Sequence, residues 1–263
     1  MGSATRESVS TAIAALNAQS AVDLATGEQL LSAALTVEGS PHLRAALADD
    51  ASDPADRKSI VRALFSAYTK PAQVVLESLV SGRWSSSEDL VAGIEELGIR
   101  ALAVSAPKSV SITDELFAFS TAVASNADLE LALGSKLGAA DARVSLVTRL
   151  LAGKASEQTV AILSALIAAP RGRRIGELVR FATTIVAEQS GSTIATITVA
   201  TRLTEAQTGR LEKALSSQYG NSIRINQVVD PSILGGMRVQ VGDEIIDGTV
   251  SNRIADLRLR LAS

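Results

Sequence analysis

Cysteine is absent from this 263-residue chain, and histidine occurs once, at position 42. Without cysteine the chain cannot form disulfides, thiolate metal sites or cysteine nucleophiles. With one histidine it cannot build a metal site from several imidazoles, and a Ser/His/Asp triad would have to use His42. We expect a surface or helix-capping role for His42, because it follows Pro41 at the start of a predicted short helix with no nucleophile motif nearby.

Charge of one sign and long apolar runs are also missing. The 25 lysines and arginines nearly balance the 28 aspartates and glutamates, so we predict no nucleic-acid partner. The most apolar stretch, residues 160–169, has half of the roughly 20 residues that a membrane span requires. The N-terminus lacks the apolar run of a secretory signal. We therefore expect a soluble protein, or one attached to a membrane through partners without direct insertion.

Aliphatic side chains dominate what is present. Hydrophobic residues make up 46% of the chain and aromatic residues 3%. From residue 5 to residue 190 the apolar positions recur every three or four residues, with capping signals such as Asp53 before Pro54, which indicates short amphipathic helices. The predicted helices are residues 5–19, 23–37, 41–48, 54–69, 71–82, 86–104, 112–125, 127–134, 139–152, 156–169 and 171–190.

The helical region contains a weak internal repeat. At an offset of 86 residues, eight residues of the first half match identical residues of the second, among them Arg57 with Arg143 and Val74 with Val160. The second copy lacks a counterpart of the first helix. We predict tandem helical bundles, joined by a short linker at 106–109 and followed by a separate domain. The predicted domains are residues 1–105, 110–190 and 191–263.

After Gly191 the pattern changes from helical spacing to alternation. Alternating β-branched residues predict strands, while Thr204 and Gln207 are spaced as a capping box that opens a helix. Gly242 with Asp243 predicts a two-residue hairpin turn, and the tail predicts a last helix. The predicted strands are residues 193–199, 222–229, 237–241 and 244–247. The fold class is mainly α with a small α+β domain, in which the C-terminal order is β-α-β-β-α.

Several clusters could carry chemistry, but each has a simpler explanation. We expect the pairs Asp49–Asp50 and Glu95–Glu96 to lie at a helix end or on a polar helix face, exposed to water. The run Arg171–Arg174 predicts a solvated or partner-facing patch, since no aromatic residues alternate with its arginines. Trp84 fits a partner anchor or core packing equally. No cluster combines a nucleophile, a base and an orienting group, so we predict no catalytic residue, cofactor or metal.

The C-terminal sequence carries a specific motif. It comprises Asp230, Pro231, Leu234, Gly235, Gly236, Arg238, Val241, Gly242, Asp243, Ile246, Asp247, Gly248, Arg253 and Leu257. These residues resemble the signature of the δ subunit of F-type ATP synthases, the family that includes the oligomycin-sensitivity-conferring protein (OSCP). Residues 110–190 resemble the helical domain of this family, and residues 1–105 resemble it more faintly. Ordinary members have one helical domain, so the extra copy resembles an actinobacterial arrangement.

The resemblance implies a non-catalytic subunit of the peripheral stalk, or stator, at the cytoplasmic face of the bacterial plasma membrane. It implies that the helical domain binds N-terminal helices of the α subunits and that the C-terminal domain binds the b subunit, with the β subunit as a further candidate partner. In the family the α-subunit helix lies between the first and fifth helices. Here that implies a groove at Ile13, Leu16, Val75 and Leu79.

Two alternatives stay open beside this interpretation. The first is a free-standing helical adaptor that carries a borrowed C-terminal domain, and the second is an enzyme centred on His42 or a carboxylate pair. Because the second copy lacks the first helix, we predict that the first copy keeps the contact with the α subunit. The second copy then acts as a spacer toward the stalk.

Overall fold

A computed structural model describes residues 2–134, 139–242 and 244–254. The chain divides into two compact units, Met1–Val186 and Ala187–Ser263. We call them the helical unit and the C-terminal unit. The boundary lies within the last helix of the helical region, close to the predicted change of pattern at Gly191.

Side-chain caps begin many of the helices. The carboxylate of Asp23 accepts a hydrogen bond from the Thr26 amide (2.9 Å), because the first turn leaves its amides without helical partners. The helices are α1 (Ser3–Asn17), α2 (Leu24–Gly39), α3 (Pro41–Ala48), α4 (Pro54–Leu64), α5 (Lys70–Ser81), α6 (Ser87–Ser105), α7 (Ile112–Ala124), α8 (Ala127–Gly134), α9 (Ala140–Leu151), α10 (Glu157–Ala168) and α11 (Ile175–Gln189).

Helix α4 is shorter than predicted. It ends at Leu64, whereas the sequence pattern extends the helix over residues 54–69. The side-chain amide of Gln73, on α5, donates hydrogen bonds to the carbonyls of Phe65 (3.2 Å) and Tyr68 (3.1 Å). These bonds stabilise a turn where the apolar spacing alone would continue the helix.

Helix α11 starts later than predicted. The pattern places its start at residue 171, but the helix begins at Ile175. Arg171 and Gly172 adopt φ angles of 49° and 77°, a left-handed conformation that a right-handed helix cannot include. The chain therefore turns between α10 and α11.

The described part of the helical unit holds two hydrophobic cores. The first is built mainly by α1–α6, with buried side chains such as Leu30 and Leu76. The second is built mainly by α7–α11, with Leu116 and Leu163 among its buried members. Each fully buried leucine contributes about 1.5–3 kcal/mol relative to an exposed one, so each core stabilises its own helices substantially.

Helix α6 belongs to both cores. Leu97 lies in the first core, whereas Ile99 and Leu102 lie in the second, which also receives Leu31 from α2. Helices α2 and α6 can approach closely because residue 98 is a glycine. A Cβ there would lie only 2.8 Å from the Leu31 side chain. The second half of α6 therefore packs where the second copy lacks a first helix of its own.

The buried faces of α7–α11 repeat those of α2–α6. Leu116 follows Leu30 at an offset of 86, and the offset grows by one before α10 and again before α11. Val160, which matches Val74 in sequence, is consequently one position out of structural register. The helices thus contain the predicted tandem arrangement. The domain boundary near residue 105 stays a prediction, since one compact unit spans both copies.

The C-terminal unit is a mixed sheet with one face covered by a helix. In the described residues the strand order is β2-β1-β3-β4, with β1 parallel to β2 and antiparallel to β3. Ala195, Ile197 and Leu215 lie in its core. Its elements are β1 (Ser192–Val199), α12 (Glu205–Tyr219), β2 (Ser222–Val229), β3 (Met237–Val241) and β4 (Glu244–Asp247).

The local signals of this unit hold where the structure describes them. Thr204 and Gln207 form the predicted capping box, and Gly220 ends α12 with a left-handed φ of 72°. Gly242, with φ of 58°, opens the turn between β3 and β4. The order is β-α-β-β-β followed by helical residues 250–254, and β4 is the predicted strand 244–247, which the shorter β-α-β-β-α description leaves out. Asp243 and Leu257 lie outside the described residues.

Candidate partner-binding surfaces

Short polar side chains of helix α1 bond to the turn after α5 and to the first turn of α6. The hydroxyl of Thr5 donates to the Asp89 carboxylate (2.8 Å), and the hydroxyl of Ser8 donates to the Arg83 carbonyl (2.7 Å). The close approach requires Gly82, where a Cβ would lie 2.4 Å from the Ser8 hydroxyl. The position of α1 beside α5 is therefore well determined.

The four predicted groove residues lie together, but three of them have no exposed surface. Leu16, Val75 and Leu79 are each 0% exposed, and Ile13 is partly buried. They lie between the two helices and hold α1 against α5, because residues between packed helix axes are the ones that contact buries. An incoming helix would instead contact the residues beside this line.

A surface groove of about 710 Å³ lies beside this line, between α1, α4 and α5. Small residues form much of its wall, and charged groups of both signs lie around them. Small side chains allow the backbone of an incoming helix to approach closely, while the charges fix its orientation. The groove is lined by Ser3, Ala4, Glu7, Ser8, Thr11, Lys58, Val74, Glu77, Ser78, Ser81, Gly82 and Arg83.

Glu77 supplies a fixed negative charge in this groove. Arg62 donates two hydrogen bonds to its carboxylate, at 2.7 and 2.8 Å. The pKa of Glu77 lies below its ordinary value because of these bonds, against the opposing effect of burial. The carboxylate therefore stays ionised at neutral pH, facing any helix that occupies the groove.

The expectation that Glu95 and Glu96 are exposed to water is wrong. Both side chains are buried, and Glu96 accepts two hydrogen bonds from Arg100, at 2.9 and 2.7 Å. Glu95 accepts two from Arg173, at 3.0 and 2.9 Å. Both carboxylates can be buried because arginines pair with them: Arg100 lies four residues after Glu96 in the same helix, and Arg173 comes from the turn before α11.

The prediction of a solvated or partner-facing patch at Arg171–Arg174 is wrong for two of its arginines. Arg171 pairs with Glu38 (2.8 Å), and Arg173 pairs with Glu95. The side chains of Arg171 and Arg173 are 17% and 23% exposed, so neither is available as an open basic patch. We call Glu38, Glu95, Arg171 and Arg173 the inter-copy ion cluster.

Trp84 is a core residue. It is 7% exposed, and its indole N–H donates to the Leu79 carbonyl (2.9 Å).

His42 and Asp49–Asp50 are exposed, as expected, and Asp49 accepts hydrogen bonds from residues just after it in the chain. Within the described residues, no three histidines, aspartates or glutamates converge as metal ligands would.

Three polar residues of the C-terminal motif, Asp230, Arg238 and Asp247, have partners within their own unit. Arg238 pairs with Asp247 across β3 and β4 (3.0 Å), and Asp247 also accepts from the Thr249 amide (3.0 Å). A Cβ at Gly236 would lie 2.4 Å from the Gly248 carbonyl oxygen, which explains the glycine pair. Asp230 accepts from the Ser232 amide (2.9 Å), just before Pro231 would end any strand. These residues shape the hairpin.

Apolar side chains of the same segment remain exposed. Leu234 is 80% exposed, and the Val250 amide donates to the carbonyl of the next residue along, Gly235 (3.0 Å), which brings the two segments together. Ile254 follows Val250 by four residues on the same helical face. In the described residues the edge strand β4 carries two further exposed isoleucines, Ile245 and Ile246, whose side chains point to opposite faces of the sheet. We call the exposed apolar side chains on the segment next to this hairpin the C-terminal apolar patch: Leu234, Val250 and Ile254.

Sequence reasoning found part of these surfaces. Leu234 belongs to the quoted motif, but the motif does not distinguish it from its structural residues. The groove lining around Ser78 was missed, since the spacing of apolar residues reveals the buried face of α5 and not the face beside it. The glycine at position 82 was the available signal for a close helix approach.

Comparison with known proteins gives a consistent family. The sequence model of the ATP synthase delta (OSCP) subunit matches residues 99–261. A protein named ATP synthase subunit delta from Leifsonia xyli subsp. xyli is 50% identical over 100% of both chains. Another of that name, from Kineococcus radiotolerans, is 38% identical over 94% of this chain and 91% of the relative.

A solved structure is also similar at a lower level. A chain of the Toxoplasma gondii mitochondrial ATP synthase hexamer has a TM-score of 0.40 at 16% identity, covering 64% of this chain and 97% of that chain. Among the helices that the structure describes, none has the length and apolar character needed to cross a membrane.

Proposed function

Because the chain belongs to the ATP synthase delta (OSCP) subunit family, we propose that it acts in the peripheral stalk of a proton-transporting F-type ATP synthase. There it links the catalytic head to the membrane-anchored part of the stator, so that rotation of the central shaft is coupled to ATP synthesis. The observation that carries this proposal is the 50% identity to an ATP synthase subunit delta along the whole chain.

The groove between α1, α4 and α5 is the proposed site for an N-terminal helix of an α subunit. Its length follows two adjacent helices, and small residues such as Ala4 and Ser78 leave room for a third. Its charges include Glu77 and Lys58, which would pair with opposite charges on the arriving helix. Ile13, Leu16, Val75 and Leu79 act here by holding α1 and α5 together beneath the groove.

The C-terminal apolar patch is the proposed site for the b subunit. Exposed apolar side chains that lie together mark interaction surfaces more often than chance exposure. Leu234 is the most exposed of them, and the rigid hairpin behind it is held by the Arg238–Asp247 pair. The end of an amphipathic stalk helix would bury these side chains on binding.

The second helical copy is the proposed spacer between these two contacts. Its α10 packs against α2 and α6 of the first copy, which cover the side where the first copy carries α1. The groove proposed for the α subunit therefore belongs to the first copy. The β subunit is a further candidate neighbour on the catalytic head.

This role places the protein at the cytoplasmic face of the bacterial plasma membrane, as a peripheral and non-catalytic component without cofactor. The adaptor alternative requires that the protein purify without other ATP synthase subunits. Relatives that share both helical copies and the C-terminal unit carry the name ATP synthase subunit delta, which favours the stalk role.

A pull-down from detergent-solubilised membranes tests the groove. The full chain should recover α, β and b subunits, identified by mass spectrometry. Ser78→Trp fills the groove with an indole, so we expect about tenfold less α and β with b retained. Ala46→Trp, on the exposed side of α3, is the matched control and should change nothing.

The same experiment tests the C-terminal apolar patch. Leu234→Asp places a carboxylate in a contact that must lose water, so we expect about tenfold less b with α retained. Leu131→Asp, at a leucine of α8 that is 73% exposed, is the control. If the unaltered chain recovers none of these subunits from membranes that contain the intact synthase, the stalk role is wrong and the adaptor takes its place.

A further inference from the structure

The inter-copy ion cluster joins the two helical copies at one place. Arg171 donates to Glu38 at the end of α2 (2.8 Å) and lies 3.7 Å from Glu95 on α6. Arg173 donates to both oxygens of Glu95 and lies 4.7 Å above the Phe181 ring. The carboxylates belong to the first copy and the arginines to the turn of the second, so every ion pair of the cluster crosses between copies.

Burial limits what this cluster can add to the stability of the fold, because its charged groups lose their contact with water. The Glu95 side chain is 5% exposed. Burial raises the pKa of Glu95 above its ordinary value, against the opposing effect of Arg171 and Arg173. Buried ion pairs often add little to stability compared with apolar residues, but their directional bonds can select one arrangement over others. The cluster is therefore better explained by the arrangement that it selects than by the stability that it adds.

The backbone at Arg171 gives a second reason to look for a positional role. Among the described residues other than glycine, Arg171 alone has a positive φ, at 49°. Glycine and asparagine adopt this left-handed conformation more readily than arginine. A residue chosen for the turn alone would have a smaller side chain. Arginine at this position gains its contact with Glu38 at the expense of backbone preference.

Elsewhere in the described contact between the copies apolar side chains dominate, and the Gln158 side-chain amide donates one long hydrogen bond to the Ser105 carbonyl (3.5 Å). Leu31, Ile99 and Leu102 pack into the second core, and apolar packing tolerates small rotations because it has no preferred bond direction. The hydrogen bonds of Arg171 and Arg173 to carboxylates are directional, because the planar guanidinium fixes where its N–H groups point. The apolar contacts thus hold the copies together, and the ion pairs define the angle between them.

We propose that the inter-copy ion cluster fixes the orientation of the second helical copy on the first, with Arg171 and Arg173 as positioning residues. The mechanical consequence rests on the proposed stalk function: a spacer held at one angle transmits load without bending where α6 passes between the cores. The orientation itself is a property of the purified chain. Its test therefore fails or succeeds independently of the stalk function.

Distance measurement between spin labels tests the proposal on the full chain. The chain has no cysteine, so Ala46→Cys on α3 and Leu131→Cys on α8 place one label on each copy at exposed positions. Adding Glu38→Gln and Arg171→Asn removes the ion pair while asparagine keeps the left-handed turn accessible. We expect the distance distribution to become about twice as broad.

Arg62→Gln is the matched control, because Arg62 forms a bidentate pair with Glu77 inside the first copy. It should leave the distribution narrow. An unchanged distribution in the double variant would overturn the proposal, as would equal broadening in the control. Where the double variant fails to fold, Glu38→Gln alone keeps the buried Glu95 pairs and should broaden the distribution to a smaller degree. A narrow distribution there also overturns the proposal.

Discussion

The two helical copies close the turn before their last helix in different ways. In the first copy Trp84 is buried in the turn, and its indole N–H donates to Leu79. Gly93 gives the ring room, since a Cβ there would lie 2.5 Å from it. In the second copy Phe181 stands 88 residues after Gly93, and Arg173 lies over its ring. The aromatic residue has moved from the turn to the helix.

This exchange changes what each turn depends on. An indole fills its space and satisfies its single donor locally, so the turn of the first copy is self-contained. A guanidinium needs an anion, and Glu95 on α6 supplies it from the other copy. One repeated fold can therefore be closed by its own core in one copy and tied to its neighbour in the other.

The largest effect should follow from removing the indole. Trp84→Ala leaves a cavity in the first core, so we expect a loss of about 3–5 kcal/mol in the free energy of unfolding. Urea denaturation of the full chain, followed by circular dichroism, measures it. Phe181→Ala should lose about 2 kcal/mol, because Phe181 is only partly buried. Equal losses would remove the contrast between the two turns.

A smaller effect should follow from closing the space beside the indole. Gly93→Ala places a methyl group against the ring of Trp84. We expect this overpacking to lower the free energy of unfolding by about 1–3 kcal/mol. Gly209→Ala, in a part of α12 with open space around it, is the control. Alanine favours helix there, so the control should gain up to about 1 kcal/mol. A gain at both glycines would contradict the tight fit.

The smallest effect should be a pH dependence that belongs to Glu95. Because burial raises its folded-state pKa above the ordinary value of 4.5, its contribution favours folding below that pH. This contribution is lost as the pH rises through the raised pKa. Relative to Glu95→Gln, the unaltered chain should therefore lose stability as the pH rises from the ordinary pKa of a glutamate through the raised pKa of Glu95. Urea denaturation of both proteins across this range measures the difference.

The opposite pH dependence would give the inter-copy ion cluster a second role. If the unaltered chain gains stability over Glu95→Gln as the pH rises, the arginines outweigh burial at Glu95. The cluster would then stabilise the fold as well as orient it.

Elements with local causes could be predicted from the sequence. The Asp53–Pro54 start of α4, the capping box at Thr204 and the glycine turn at Gly242 each depend on residues within a few positions of one another. Such signals act before the chain has any tertiary structure. The resemblance of the C-terminal motif also located the segment that bears the apolar patch.

The inter-copy ion cluster could not be predicted in this way. Glu95 and Arg173 are 78 residues apart, and nothing near either residue indicates the other. Ile13, Leu16, Val75 and Leu79 show the same limit at the groove. Their apolar spacing correctly marks a packed face, but whether a second helix already covers that face depends on tertiary contacts.

Helix α6 has a consequence for how the protein can be divided. Its 19 residues span about 28 Å, and they place Leu97 in one core and Ile99 and Leu102 in the other. A fragment that ends near residue 105 would leave these last side chains in water, and one that begins near residue 110 would lack them. We therefore expect the two copies to unfold in a single transition and to aggregate when produced apart. The two copies of the sequence repeat would then form one cooperative folding unit.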